Sequence, residues 1–443
     1  MLRPNTCAPH PLGPRKLTTI DNSNAYLQSD KLPPEHKNYP KFHDAIDGKW
    51  RVIDCKTYIY GDDEAARWYY LSQRKQLLKQ GFVQGLTPGS PAATIAEEHK
   101  RAPTANCPCA FCHPDTGAGD DVVLQVYVDD NIIDARAGPT NAFLDEWHKR
   151  LDTTPPNTLE EGKPIDFTGI IIEQRQGARF IHTGPYIAKT IAQFGMENAP
   201  AASLPITEDI TSTEPLGFAE AADFHAKMGC AGWIAHTTHM QAKFAVYRAA
   251  QGMAKPTQGH LKHINQVLRY FSAQRKLAIG VPLFDPNPPT GQDAYAIYCD
   301  ADNSSNPEIN NKRRAQWPYV FAVVSSQEAV DAIGNIVPTH APIMMASKST
   351  GVAFATSRIG EAHVGCGSGE NEIYGLANTI NDVLYFSHIM GGVGRDSPLP
   401  MHVKTDATTA KAFANGTAKT RLHHIDQRQA WVAICRDKRI TTV

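Results

Sequence analysis

Two adjacent carboxylates follow a short apolar segment in the first half of the chain. Asp129 and Asp130 come directly after VVLQVYV at 122–128, and the apolar residues Ile132 and Ile133 follow them. This pattern predicts a β-hairpin with both acids at its tip. Like charges this close are unfavourable unless a cation lies between them, and hard divalent ions such as Mg²⁺ prefer oxygen ligands. The hairpin therefore suggests metal-assisted phosphoryl transfer, and the alternative is an Asp-rich turn without a metal.

Five ordered blocks around this hairpin carry a family resemblance. Tyr127-Val128-Asp129-Asp130 resembles the YVDD polymerase motif of reverse transcriptases, and its surroundings resemble the Pol polyprotein of copia-type LTR retrotransposons. The other blocks are IDNSNAYLQSD at 20–30, YIYGDDEAARWYYLSQRKQLLKQGF at 58–82, the segment 167–206 that begins FTGIIIEQ, and FAVYRAAQGMAKPTQGHLKHINQVLRYF at 244–271. Their common order makes chance a poor explanation.

The resemblance implies the residues of a polymerase site. Asp21 joins Asp129 and Asp130 as a third metal-binding carboxylate, and these ligands hold two Mg²⁺ or Mn²⁺ ions. Tyr26 is the aromatic gate that excludes a ribose 2′-OH. The implied substrate-binding residues are Tyr26, Glu64, Arg67 and Tyr127, and the basic segment at 224–284 adds Lys262 and Arg269 as predicted duplex contacts. The implied partners are an RNA template, a DNA primer and deoxynucleoside triphosphates.

Two departures from the family pattern concern this polymerase site. Little sequence precedes Asp21, so we expect a reduced fingers region. Asp62, Asp63 and Glu64 replace the Leu-Lys-Gln of the family. These acids place negative charge where a triphosphate should approach, so we expect polymerisation to be weakened or lost.

The resemblance continues beyond the proline-rich joint at 284–292 into an RNase H-like region. The matching segments are YCDAD at 298–302, PIMMASKS at 342–349, GSGENEIYGL at 367–376, VKTDATTAKAF at 403–413 and HHIDQR at 423–428. The implied catalytic residues are Asp300, Glu370, Glu372, Asp406, Asp426 and His424, and all but the histidine are implied metal ligands. The match does not decide between Glu370 and Glu372. Taken singly, each acid is more simply an ordinary surface residue, but their order and their sequence contexts together favour a metal site.

Short strands and amphipathic helices alternate along both halves of the chain. Strands are predicted at 122–128, 294–300, 319–324 and 342–346, and helices at 261–271 and 373–384. This mixture predicts an α/β and α+β multidomain protein. With the resemblance, we expect an antiparallel palm with reduced fingers at 1–210, a helical thumb/connection at 211–290 and an RNase H-like α/β domain at 291–443.

Basic residues without nearby acids mark the segment 224–284. It contains eight lysines and arginines and no Asp or Glu, namely Lys227, Lys243, Arg248, Lys255, Lys262, Arg269, Arg275 and Lys276. One interpretation is a solvated face. The other is a surface that contacts nucleic-acid phosphates and reads duplex shape rather than sequence.

Cysteines cluster once, just before the hairpin. Cys107, Cys109, Cys112 and His113 supply enough ligands for zinc, but their spacing is tighter than in usual four-ligand sites. We therefore favour a loop with free thiols over a zinc site.

Composition places limits on location and partners. Of 443 residues, 44 are Lys or Arg and 45 are Asp or Glu, so the net charge of −1 excludes a polycationic tail but not a local basic surface. No apolar run is long enough for a transmembrane helix, and the first twenty residues lack the apolar core of a signal peptide. Nine cysteines spread over a long chain suggest reduced thiols. We expect an intracellular protein, cytoplasmic or nuclear, with no membrane partner.

The predicted function is RNA-directed DNA polymerase with RNase H activity on an RNA–DNA hybrid. Two alternatives stay open. One is a non-catalytic nucleic-acid-binding remnant that keeps the fold but has lost polymerisation. The other is an enzyme with RNase H activity alone.

Overall fold

The structure is a computed structural model of the chain. It describes residues 15–84 except 34, 37–38 and 45, residues 109–113, residues 121–281 except 176–177 and 207–209, and residues 295–300, 316–324, 340–349, 368–392, 401–417, 432, 434–435 and 441–442. The chain forms two compact units, and the main boundary lies between Thr168 and Gly169. This division does not test the domain boundaries at 210 and 290, which stay predictions.

An antiparallel sheet is the centre of the first unit. The elements of this unit are β1 (Lys16–Asp21), β2 (Lys41–His43), β3 (Trp50–Val52), α1 (Ala65–Lys79), β4 (Ala110–His113), β5 (Val122–Tyr127), β6 (Asp130–Ala135), α2 (Ala137–His148), β7 (Asn157–Thr158) and β8 (Ile165–Phe167). The sheet order is β4-β5-β6-β1-β7, and every pairing in it is antiparallel. The predicted hairpin is confirmed, because β5 and β6 pair directly.

Helices α1 and α2 cover this sheet. Leu77 on α1 and Phe143 and Trp147 on α2 are buried in one apolar cluster with Leu124 and Ile133 of the hairpin strands. Burial of such side chains is the main favourable term in folding, at roughly 1.5–3 kcal/mol each. The predicted antiparallel sheet backed by helices is therefore confirmed.

The second unit begins with three strands and a helical layer. Its elements here are β9 (Ile170–Arg175), β10 (Ala178–His182), α3 (Gly184–Gln193), α4 (Phe218–Thr237), α5 (Lys243–Ala250), α6 (Gln258–Ala273) and β11 (Ile279–Val281). The helix predicted at 261–271 is confirmed, because Ile264, Val267, Leu268 and Phe271 project from one face of α6 into a shared core.

A mixed sheet and most of a long helix follow in the same unit. The elements are β12 (Tyr295–Cys299), β13 (Gln316–Val324), β14 (His340–Ser349), α7 (Ser368–Gly392), β15 (Met401–Lys404), α8 (Thr408–Ala414) and β16 (Thr441–Thr442). The sheet order is β14-β13-β12-β15-β16; β13 pairs antiparallel with both of its neighbours, and β15 pairs parallel with both of its own. Together with the first unit, this confirms the predicted mixed fold class and the strands predicted at 294–300, 319–324 and 342–346.

Part of the basic segment at 224–284 is buried rather than exposed on the surface. Lys227, Lys243 and Arg248 are buried, so the predicted phosphate-binding role is wrong for these three residues. Lys227 pairs with Asp223 at 2.7 Å and lies 5.4 Å from the ring centre of Phe194. Helices α4 and α5 turn these positions toward the helical core, whereas Lys255, Lys262, Arg275 and Lys276 are exposed.

None of the helices that the structure describes is long and apolar enough to cross a membrane.

Candidate metal centres

The three acids of the predicted polymerase site come together at one end of the first sheet. We call Asp21, Asp129 and Asp130 the palm triad. Asp21 ends β1 and Asp130 begins β6, and the two are register partners in the antiparallel pairing. Asp129 lies in the turn between β5 and β6. The convergence that the resemblance requires is therefore present, although Asp21 is distant in sequence from the other two.

Hydrogen bonds hold the turn that carries Asp129. The Asp129 carbonyl accepts from the Asn22 backbone N–H at 2.9 Å and from Asn131 Nδ2 at 2.9 Å. Gln73 Nε2 donates to the Val128 carbonyl at 3.2 Å. Val128 has a φ of 56°, a left-handed conformation that is strained for a β-branched residue. Neighbouring elements thus fix a turn that its own sequence does not favour.

Burial and mutual repulsion raise the pKa values of two palm-triad carboxyls. Desolvation is the largest cause at Asp130, followed by the charges of Asp129, Asp21 and Asp166, and together they raise its pKa to about 6. Desolvation and then Asp129 raise the pKa of Asp21. Asp166, on β8, was not identified from the sequence, because no local pattern connects it with the hairpin.

The raised pKa of Asp130 predicts how the metal-free protein responds to pH. A carboxyl whose folded pKa lies above its ordinary value favours folding at low pH, and this contribution is lost as pH rises from about 4 through about 6. We expect Asp130→Asn to stabilise the metal-free protein at pH 7.5 by roughly 1–2 kcal/mol, since partial exposure screens the repulsion, and to have little effect at pH 4. Urea unfolding in EDTA across this pH range measures the difference.

The matched control for this prediction is Asp145→Asn, because Asp145 is an exposed acid on α2. This change should have no pH-dependent effect on stability. Equal stability of wild type and Asp130→Asn at every pH would contradict a raised pKa for the Asp130 carboxyl.

A cluster of aromatic rings lies near the palm triad. The rings of Tyr26 and Tyr60 are 4.5 Å apart, and Tyr69 meets Tyr26 edge-on at 5.9 Å. The charges of Asp129 and Asp21, after desolvation, help to raise the pKa of Tyr60. The predicted gate Tyr26 is thus packed beside the carboxylates, and Tyr60 is a neighbour that the sequence did not single out. Tyr127 lies at the end of β5, where its side chain is 60% exposed.

The acids that replace the family's Leu-Lys-Gln make local contacts at the start of α1. The Asp62 carboxylate accepts from the Ile59 backbone N–H at 2.8 Å. Glu64 and Arg67 form an exposed ion pair at 3.5 Å, a type that contributes at most about 1 kcal/mol. Their predicted contact with substrate stays a prediction.

A second group of acids lies at the ends of strands in the mixed sheet. We call Asp300, Glu372 and Asp406 the C-terminal triad. Asp300 follows β12, Asp406 follows β15, and Glu372 lies near the start of α7. One carboxylate oxygen from each lies within 4.8 Å of the other two. Of the remaining predicted residues, Glu370 lies on α7 but its side chain is not described, and His424 and Asp426 lie outside the described residues.

A buried thiol lies beside the C-terminal triad. Burial, followed by the charges of Glu372 and Asp300, raises the pKa of Cys299 to about 12. The thiol therefore stays neutral at physiological pH and adds no further negative charge. Hydrogen bonds with Thr405 and Thr379 oppose this shift.

The donor atoms of the C-terminal triad suit a hard divalent cation. They are carboxylate oxygens, the ligands that Mg²⁺ and Mn²⁺ prefer, and their mutual distances leave room for one ion between them. Among the residues that the structure describes, this is the one group of three acids, histidines or cysteines whose ligand atoms all lie within 4.8 Å of one another. The carboxylate oxygens of the palm triad are therefore more widely spaced than those of the C-terminal triad.

The cysteine-rich segment does not assemble a metal site within the described residues. Cys107 lies outside them, Cys109 is partly buried, and Cys112 and His113 lie on β4. The Cys112 thiol approaches the His113 carbonyl at 3.6 Å, and the His113 ring packs against Phe82 at 5.5 Å. The preference for free thiols over zinc in this segment stays a prediction.

The two predicted duplex-binding residues of α6 have different surroundings. Lys262 is exposed, whereas Arg269 Nε donates to the Pro200 carbonyl at 2.8 Å. They are seven residues apart, so they share one face of the helix. Arg269 therefore also anchors the segment before α4.

Comparisons with known proteins support the resemblance. No protein-family model matches the chain. The retrovirus-related Pol polyprotein from transposon RE1 of Arabidopsis thaliana is 23% identical over 262 residues, which are 57% of this chain and 16% of the relative. The resemblance to retrotransposon Pol proteins is thereby confirmed. The matched region spans about a sixth of the length of that curated relative.

Solved structures give weaker likenesses. A foamy viral protease-reverse transcriptase in complex with RNA/DNA hybrid has a TM-score of 0.45 at 12% identity, over 96% of this chain and 43% of that one. LC11-RNase H1 in complex with RNA/DNA hybrid has a TM-score of 0.20 at 15% identity, over 33% of this chain and 81% of that one.

Proposed function

We propose that this chain is an RNA-directed DNA polymerase with RNase H activity, of the copia type of retrotransposon Pol. Its substrates are an RNA template with a DNA primer, deoxynucleoside triphosphates and the RNA strand of the resulting hybrid. Its cofactor is Mg²⁺ or Mn²⁺, with two ions at each site. An intracellular location is part of the proposal.

The observation that carries the nuclease half is the convergence of Asp300, Glu372 and Asp406. Their carboxylates come from two strand ends and a helix, and a bound cation would offset the repulsion among these like charges. Bound divalent ions would supply charge stabilisation to the phosphoryl group in the transition state. The protein's part is to hold the carboxylates in place, with Asp426 as a further proposed ligand and His424 beside it.

The palm triad carries the polymerase half. Asp21, Asp129 and Asp130 would hold the ions at the end of the hairpin, where Asn22, Gln73 and Asn131 fix the turn. Tyr26 would exclude a 2′-OH through its ring, which Tyr60 and Tyr69 hold in place. The exposed cations Lys255, Lys262, Arg275 and Lys276 would contact duplex phosphates without reading sequence.

A second candidate is an enzyme with nuclease activity alone. Two observations favour it. The C-terminal triad is the tighter group of donors, and three acids stand where the family has Leu, Lys and Gln near the triphosphate.

Parallel assays on the purified full chain test the proposal. Mg²⁺-dependent extension of oligo(dT) on poly(rA) measures polymerisation, and loss of full-length RNA from a labelled hybrid measures nuclease activity. Both activities support the full proposal, and cleavage without extension supports the nuclease-only candidate. A protein that binds hybrid but does neither would be the non-catalytic remnant.

A further inference from the structure

Two neighbouring strands of the mixed sheet lead directly into the C-terminal triad. β12 and β15 pair in parallel, and Tyr298 on the first is the register partner of Lys404 on the second. Asp300 follows Tyr298 by two residues, and Asp406 follows Lys404 by two residues. Each strand therefore carries a large side chain two residues before a carboxylate of the triad.

These two side chains contact each other at the surface. Lys404 Nζ lies 5.4 Å from the ring centre of Tyr298. The Tyr298 side chain is 42% exposed, and Lys404 is also exposed. Within the described part of the chain, Lys404 forms no ion pair with a carboxylate, although Asp406 lies two residues beyond it and Asp300 lies two residues beyond its register partner Tyr298. An exposed ammonium group without a direct ion pair can contact an anion from outside the protein.

The spacing of this pair from the triad fits a nucleic-acid strand. Two residues of a β-strand span about 6.6 Å. One strand of a duplex presents a phosphate about every 3.4 Å of helix axis. If the scissile phosphate of the nucleic-acid strand lies at the triad, a phosphate one or two nucleotides further along that strand would therefore lie near Lys404. An exposed aromatic face next to a lysine also offers a surface for an adjacent sugar or base.

We propose that Lys404 and Tyr298 form a subsite for the sugar–phosphate backbone of the hybrid, immediately beside the C-terminal triad. Lys404 contacts a phosphate next to the cleaved one, and the Tyr298 ring orients the lysine and packs against the sugar. The inference rests on the proposed nuclease function. It adds a substrate contact that the metal ligands themselves do not provide.

Binding of an RNA–DNA hybrid tests this subsite without relying on catalysis. Fluorescence anisotropy is measured with Ca²⁺ in place of Mg²⁺, and a gel confirms that the hybrid stays intact. We expect Lys404→Ala to reduce the slope of log affinity against log salt by about 0.7–0.9, because one phosphate contact is lost. The ratio of wild-type to variant affinity should accordingly shrink about threefold between 50 and 200 mM salt. Lys404→Arg should restore the slope.

The matched control is Lys411→Ala, which removes the same charge from an exposed position on α8. It should leave the salt slope at the wild-type value. In Mg²⁺, Lys404→Ala should raise KM for the hybrid more than it lowers kcat. Tyr298→Phe should preserve binding, and Tyr298→Leu should weaken it.

The outcomes separate this inference from the proposed function. A wild-type chain that neither binds nor cuts the hybrid would overturn both. A wild-type chain that binds and cuts, with identical salt slopes for Lys404→Ala and Lys411→Ala, would overturn the subsite alone. Circular dichroism of each variant identifies any that fails to fold, and Lys404→Gln, which removes the charge but keeps much of the side chain, then carries the comparison through its own salt slope and KM.

Discussion

Asp300→Asn is expected to abolish cleavage of the RNA strand in a hybrid, lowering the rate by about 10³-fold or more. The change removes one negative ligand from the C-terminal triad and so removes ~4 kcal/mol of transition-state stabilisation. The fold should survive, because the side chain is exposed and the Asp300 backbone N–H donates independently to the Pro318 carbonyl at 3.1 Å. Single-turnover cleavage in Mg²⁺ measures the loss, and thermal unfolding verifies the fold.

Two further variants show whether the effect is local. Asp145→Asn changes an exposed acid on α2 and should leave cleavage at the wild-type rate.

Asp129→Asn should remove any primer extension while cleavage continues, because it alters the palm triad only. We also expect cleavage to exceed extension in the wild type. Efficient extension by a chain that cannot cut the hybrid would contradict this ranking.

Arg15→Met is expected to destabilise the first unit by about 3–5 kcal/mol. Arg15 is 7% exposed; it pairs with Asp121 at 2.7 Å and with Asp134 at 3.1 Å, and its Nη2 also donates to the Asp134 carbonyl. Removing the arginine leaves the Asp134 carboxylate, which is almost wholly buried, without its cation. Breaking a buried pair from one side costs this much, since the remaining charge stays desolvated. Urea unfolding measures the change.

The adjacent residue provides the control for this prediction. Lys16 forms an ion pair with Glu160 at 3.4 Å, but both side chains are about half exposed. Lys16→Met should therefore cost at most about 1 kcal/mol. Equal destabilisation by the two substitutions would show that the Arg15 network is no stronger than a surface pair.

The sequence by itself determined the local elements and the motif acids. Short apolar segments on either side of Asp129 and Asp130 specified β5 and β6, and helical spacing specified α6, because these patterns depend on neighbours a few residues apart. The ordered motif blocks also identified five of the six triad residues, namely Asp21, Asp129, Asp130, Asp300 and Asp406. For the sixth, the sequence offered both Glu370 and Glu372, and the fold brings Glu372 to the other two acids.

Only the tertiary structure decided which charges are buried and which acids meet. The basic segment looked continuous in sequence, yet helix packing buries Lys227, Lys243 and Arg248. Asp166 acts on Asp130, and Arg15 pairs with Asp134, although each pair is far apart along the chain. The sequence identifies which side chains are charged, but the desolvation and the partners of each depend on long-range packing. Electrostatic energy depends on that environment, so it could be assigned only from the folded chain.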